Sequence, residues 1–228
     1  MIVDSSGPSP DRFRSSASLD SAGRERSRYA TSAVVPTGPD GRRHLVLVGM
    51  MGSGKSSVGR KLAKALGRRF VDSDAEIERR HGRTVHEIFA KDGEDAFRRI
   101  EADVLTDLLT GEEPAVIATG GGAVVLPSNR DLMRRHGTVI WLRATPAVLA
   151  QRMSGASVAR RPLIAELGGD PAALAARLAQ LSTQREVAYH QVAHDIVNVD
   201  GRPVAEIVDH LVRLVTSGER PVGPEAAR

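Results

Sequence analysis

His44-Leu45-Val46-Leu47-Val48-Gly49-Met50-Met51-Gly52-Ser53-Gly54-Lys55-Ser56 decides the fold of this chain. Residues 49–56, GMMGSGKS, fit the phosphate-binding pattern GxxxxGK[ST] at every fixed position. The run Leu45–Val48 before them is apolar, and the stretch from Val58 to Leu66 after them is amphipathic. Strand, glycine-rich loop and helix in that order give the pattern its specificity. Glycines let the backbone turn its N–H groups towards an anion, and the helix that follows adds its positive end. Lys55 then has the reach for the β- and γ-phosphates of a nucleoside triphosphate, and the Ser56 hydroxyl can ligate Mg²⁺.

Working outward, strands and helices alternate. Leu45–Val48, Arg69–Asp72, Ala115–Thr119, Thr138–Arg143 and Asp195–Val199 read as strands. Helices are expected after Lys55, over Asp74–His81, from Thr84 and over Glu94–Leu109. Further helices should begin at Pro127 or Ser128, at Thr145-Pro146, at Asp170-Pro171 and at Pro203, the last ending near Val215. Thr84 and Glu87 form a capping box, and Asp92-Gly93 should interrupt the helix that follows. The repeated unit implies an α/β fold with a parallel sheet covered on both faces. Ligands of such sheets bind beyond the carboxyl ends of the strands.

The chain has 228 residues, 41% hydrophobic but only 3% aromatic, so its core should be aliphatic. Residues 1–43 are rich in Ser, Arg, Gly, Pro and Asp and read as a disordered tail. Residues 216–228 read as a shorter flexible one, which leaves a folded domain over 44–215. The net charge is +4 and there is no cysteine, which excludes a disulfide scaffold and a cysteine zinc site. The charge excess is too small to suggest nucleic-acid binding. No apolar run approaches membrane-spanning length and no secretory leader is visible, so a cytoplasmic location is expected. None of the seven histidines makes a catalytic or metal pattern.

Asp72-Ser73-Asp74 ends the second strand. It reads either as a polar turn with Asp74 capping a helix, or as chemistry. The strand over 115–119 ends in Thr-Gly-Gly, without the acid that often holds Mg²⁺ in phosphate-loop enzymes. Asp72 is then the candidate second metal group, and Asp74 the candidate base for an acceptor hydroxyl. Gly120-Gly121-Gly122 is a tight turn or a place where backbone N–H groups approach a small polar substrate. Arg98-Arg99 and Arg185 are surface charges or fixed cations for an anionic acceptor. The segment SGASVARR, residues 154–161, is an exposed loop or a lid that brings an arginine onto the transferring phosphate.

Together these residues resemble the shikimate kinase family. The resemblance covers 44–215 and rests on GMMGSGKS, Asp72-Ser73-Asp74, Ile88-Phe89 to Phe97-Arg98-Arg99-Ile100-Glu101, the triple glycine, Arg161-Pro162-Leu163, and Arg185 with Tyr189. It implies a phosphate-loop NTPase fold like the nucleoside monophosphate kinases, with five parallel strands, a substrate-binding helical region and a lid at about 153–166. The implied activity is transfer of the ATP γ-phosphoryl group, with Mg²⁺, to the 3-hydroxyl of shikimate on the route to chorismate and aromatic amino acids. ATP would lie on Gly52, Ser53, Gly54, Lys55, Ser56 and Ser57, with Arg152 and Arg202 flanking adenine. Asp72 would stand behind Ser56 at the metal. Asp74 would be the base, and Arg98 and Arg185 would clamp the shikimate carboxylate. Gly120, Gly121 and Gly122 would shape the ring site, and Arg161 would be the lid arginine. The expected partners are ATP and shikimate alone, on a monomer.

Departures from the family pattern are small. Ser57 stands where threonine is common, and Val187-Ala188 precede Tyr189 in place of Pro-Leu. The lid offers Arg160 as well as Arg161. Asp200-Gly201-Arg202-Pro203 is short, which weakens the assignment of Arg202. A different small-molecule kinase of the same fold, such as a gluconate kinase, is the alternative reading.

Overall fold

In the computed structural model the described residues are 44–153, 162–164 and 170–217. Five parallel strands form one sheet in the order β2-β3-β1-β4-β5. They are β1 (His44–Val48), β2 (Arg69–Asp72), β3 (Ala115–Ala118), β4 (Gly137–Arg143) and β5 (Asp195–Asn198). The helices are α1 (Lys55–Leu66), α2 (Ser73–His81), α3 (Val85–Thr110), α4 (Pro127–His136), α5 (Pro146–Arg152), α6 (Pro171–Val192) and α7 (Val204–Ser217).

β1 is central because every one of its residues can be buried. Leu45 and Leu47 point to one face and join Val58 and Leu62 of α1 with Ile207 and Leu211 of α7. Val46 and Val48 point to the other, among the core residues supplied by α3, α4 and α6. A strand covered on both faces therefore reads as a continuous apolar run rather than an alternating one. Its register, Leu47 beside Ala118 and Val48 beside Trp141, brings the phosphate loop and the turn after β3 out at the same edge.

Local chemistry sets the helix ends. Thr84 and Glu87 form the expected reciprocal capping box at α3. Gly93, at φ 83° and ψ 171°, kinks α3 where Asp92-Gly93 suggested, and helix resumes after it. Asp170 caps α6 through the Ala172 N–H. At the other end of α6, Arg134 Nη1 donates to the carbonyls of Gln191, Val192 and Ala193 at 3.1–3.3 Å. A cation there satisfies the orphan acceptors and suits the negative end of the helix dipole. α7 runs to Ser217, two residues past the expected stop, and Leu214 and Val215 in its last turns are buried in the core. The proposed N-terminal tail, most of the lid segment and residues 218–228 lie outside the described residues. No helix among the described residues is long and apolar enough to cross a membrane.

Candidate active site

The first glycine of the loop is fixed by close approach. A Cβ on Gly49 would lie 2.5 Å from the Leu142 carbonyl oxygen of β4. The loop therefore leaves β1 hard against β4 and turns back into α1. Lys55, at the start of α1, folds over this turn, and its Nζ donates to the Gly49 and Met50 carbonyls at 2.8 and 2.9 Å. The ammonium is thus held above the loop, where an anion on the loop amides would meet it.

Ser56 and Asp72 come together. Ser56 Oγ donates to Asp72 Oδ2 at 2.5 Å. Asp72 is the cap of α2 and accepts from the Asp74 and Ala75 N–H groups through Oδ1. This corrects one expectation: the cap is Asp72, and Asp74 lies inside the first turn. The reason is register, since β2 ends at Asp72 beside Ala118 and the chain turns helical at once. One hydroxyl and one carboxylate with one oxygen turned to that hydroxyl form a donor set of the kind Mg²⁺ takes alongside substrate phosphates.

Two cavities open at this edge. The first, of about 430 Å³, is lined by the phosphate loop, Ser56, Ser57, Asp72, Arg152, Arg202 and Ile207. Arg152 is held by its Nη2 bond to the Val199 carbonyl at 2.8 Å, and Arg202 leans on the Asn198 carbonyl at 3.4 Å. The second, of about 210 Å³, is lined by Asp74, Arg98, Glu101, the three glycines and Arg185, with Phe89, Phe97 and Leu163 as its apolar wall. Asp74, Gly121 and Met51 line both.

The glycines exist to let charged groups crowd in. A Cβ on Gly122 would sit 2.5 Å from Arg98 Nη2. One on Gly120 would sit 2.6 Å from Glu101 Oε1 and 2.7 Å from Asp74 Oδ1. The Gly120 N–H is anchored by Ser73 Oγ at 3.0 Å, and the Gly121 carbonyl accepts from both Arg185 Nη1 and Tyr189 Oη, at 3.2 and 2.7 Å.

The two arginines differ. Arg98 is 9% exposed and carries its own counter-ions: Nη1 donates to Glu101 Oε2 at 2.7 Å and Nη2 to Glu94 Oε1 at 2.9 Å. Burial is the largest influence and favours the neutral form, but Glu101 and Glu94 together outweigh it and raise the Arg98 pKa. Arg185 is 6% exposed; it donates to the Gly121 carbonyl, meets the Met50 sulfur at 4.0 Å and lies beside the Tyr189 hydroxyl. No carboxylate forms an ion pair with it among the described residues, and burial lowers its pKa. A buried, uncompensated guanidinium is a receptor for an anion.

Glu101 closes the quoted motif on α3 but was given no role from sequence. It is 1% exposed, and burial pushes its carboxyl above the ordinary glutamate range against the pull of Arg98. Its Oε1 has no hydrogen-bond partner among the described residues. The signal was present: Glu101 shares the buried face of α3 with Phe97, Val104 and Leu108, and a charge on an apolar stripe asks for a partner one turn away. Arg160 and Arg161, the candidate lid arginines, lie outside the described residues.

Residues 51–216 match the family profile described as shikimate kinase. The chain belongs to the shikimate kinase family. A shikimate kinase of Symbiobacterium thermophilum is 47% identical over 178 residues, covering 78% of this chain and 99% of that protein. One of Paracidovorax citrulli is 39% identical over 181 residues, covering 78% and 95%. Among solved structures, the Acinetobacter baumannii shikimate kinase in complex with shikimate superposes with a TM-score of 0.71 at 35% identity, over 79% of this chain and 96% of that one. As a shikimate kinase the chain is a phosphoryl-transfer enzyme, and its phosphate loop and parallel sheet are those of its family.

Proposed function

We propose that the protein transfers the γ-phosphoryl group of ATP to the 3-hydroxyl of shikimate, giving shikimate 3-phosphate and ADP. One observation carries this reading: Asp74, Gly121 and Met51 are common to a nucleotide-sized cavity on the phosphate loop and to a smaller acceptor cavity. A donor phosphate and an acceptor hydroxyl on either side of that wall would lie close enough to react.

The triphosphate takes the loop amides of Gly52, Ser53 and Gly54, and Lys55 exchanges the Gly49 and Met50 carbonyls for phosphate oxygens. Arg152 and Arg202 hold the adenosine end. Ser56 and Asp72 would hold Mg²⁺, which when bound neutralises charge on the β- and γ-phosphates. Arg185 and Arg98 take the acceptor carboxylate. Asp74 orients the 3-hydroxyl and accepts its proton as the new O–P bond forms and the bond to the ADP oxygen breaks. Arg161 is assigned to the charge developing on the transferring group. The remaining rate gain comes from positioning, since this chemistry needs no covalent nucleophile.

ADP release measured with ATP and Mg²⁺ against shikimate, gluconate and nucleoside monophosphates tests the reading. Turnover should appear with shikimate and be abolished, with ATP binding retained, by Asp74→Asn. Turnover of gluconate or a nucleotide at an equal rate would overturn it.

A further inference from the structure

The structure holds a third cavity, of about 450 Å³, apart from the nucleotide and acceptor cavities and as large as the first of them. It lies among the end of β4, the start of α5, the turn after β5 and one face of α6. Met50, Trp141 and Pro146 give it an apolar side, and Arg143, Glu186 and Asp200 a charged one.

The charges are unequal: two carboxylates share one guanidinium. That guanidinium is engaged already, with Nη2 on Glu186 Oε1 at 3.1 Å and its central carbon 5.5 Å from the Trp141 ring centroid. Among the described residues Asp200 forms no ion pair and accepts from Thr145 N at 3.1 and 3.2 Å through its two oxygens. In the α6 wall, the Ser182 hydroxyl is buried without a partner among the described residues, a polar group that an occupant or a water would satisfy.

We propose that this cavity binds a small organic cation: an ammonium on an apolar body. The ammonium is drawn to the carboxylate side, and the body covers Met50, Trp141 and Pro146. An anion meets a net negative rim, and a neutral apolar molecule leaves that rim uncompensated. Met50 and Tyr189 separate the cavity from the acceptor clamp, since the same two side chains touch Arg185 and Gly121. The proposal is independent of the phosphoryl-transfer reading.

Trp141 is the only tryptophan in the chain and lines the cavity, so its emission reports occupancy directly. The full chain is titrated with phenethylammonium chloride, with sodium chloride at matched ionic strength, and with 2-phenylethanol as the uncharged counterpart. The cation should give a saturable change in the millimolar range that persists at saturating shikimate and ATP. Glu186→Gln should weaken it about three- to fivefold, as expected for a half-exposed charge. Thr183→Arg, which adds a second guanidinium to the rim, should remove it. A response that never saturates would overturn the proposal. So would equal binding of 2-phenylethanol, unchanged binding in both variants, or displacement by shikimate, which would put the cation in the acceptor cavity instead.

Discussion

Replacing Arg185 with methionine should raise stability and destroy acceptor binding at once. Arg185 is buried at 6% exposure, and its polar contacts among the described residues are a carbonyl, a thioether and the Tyr189 hydroxyl, none of them a carboxylate. The free protein therefore carries the desolvation cost of this cation without a counter-ion, and a well-packed apolar side chain there is neutral or stabilising by about 1–4 kcal/mol. The acceptor carboxylate supplies the missing partner, so losing Arg185 forfeits a desolvated charge pair worth about 2–5 kcal/mol, or at least a roughly 30-fold rise in the shikimate KM. Arg98 behaves oppositely. Glu94 and Glu101 already compensate it, so its further gain from a carboxylate is smaller. Removing it alone strands the Glu101 carboxylate at a cost of about 3–5 kcal/mol in stability. The fair comparison is Arg185→Met against the double variant Arg98→Met, Glu101→Gln, which leaves no stranded charge. Urea denaturation gives the stability of each, and initial rates of ADP release give KM for both substrates. Arg185→Met should match or exceed the wild-type urea midpoint, with the larger shikimate KM and an ATP KM within about twofold. A lowered midpoint together with a shikimate KM changed less than that of the double variant would refute the reasoning.

Gly120→Ala puts a methyl group 2.6–2.7 Å from Glu101 Oε1 and Asp74 Oδ1. Both carboxylates must shift, and a displaced base should lower kcat about 100-fold with the ATP KM kept; a normal kcat would mean Asp74 is not positioned by this corner. Asp72→Asn keeps an oxygen to cap α2 but loses the charge beside Ser56. The Mg²⁺ concentration for half-maximal rate should rise about tenfold or more with little change in melting temperature, and an unchanged Mg²⁺ dependence would remove Asp72 from the metal site. Glu76 is held down to about 2 by hydrogen bonds from Arg79 and Arg80. A depressed carboxylate stabilises the fold above its unfolded pKa and loses that contribution as pH falls towards 2. Glu76→Gln should therefore cost stability at neutral pH and much less at pH 2, as read by urea midpoints at each pH, and a penalty of equal size at both would refute the ion-pair origin.

The inner strands β1, β3 and β4 were legible because burial on two faces makes them continuous apolar runs, and the helices because of their caps. Thr84-Glu87, Asp92-Gly93 and Asp170-Pro171 all act where local chemistry put them. The pairing of Ser56 with Asp72 was legible for a different reason: the strand over 115–119 lacks an acid, and only one neighbouring strand end supplies one. What sequence did not disclose is which of two adjacent acids caps α2, because that depends on the register of Asp72 beside Ala118. Nor did it disclose Glu101, whose charge on an apolar stripe becomes intelligible only when Arg98 folds onto it. The inequality of Arg98 and Arg185 is likewise a property of their neighbours rather than of their residue type.

That inequality bears on selectivity. In the acceptor cavity Arg98 is ion-paired while Arg185 has no ion pair among the described residues, and a carboxylate from outside would supply one. A polyol without a carboxylate can satisfy Asp74 and the free oxygen of Glu101, yet leaves Arg185 buried and unpaired. Sites built around a buried polar group reject analogues that lack its partner far more strongly than apolar pockets reject a change in size. Discrimination should therefore reside in Arg185 more than in the ring-contacting wall of Phe89, Phe97 and Leu163. A deoxygenated carboxylate acceptor should bind better than a carboxylate-free polyol of the same ring size, because only the latter leaves Arg185 without an ion pair.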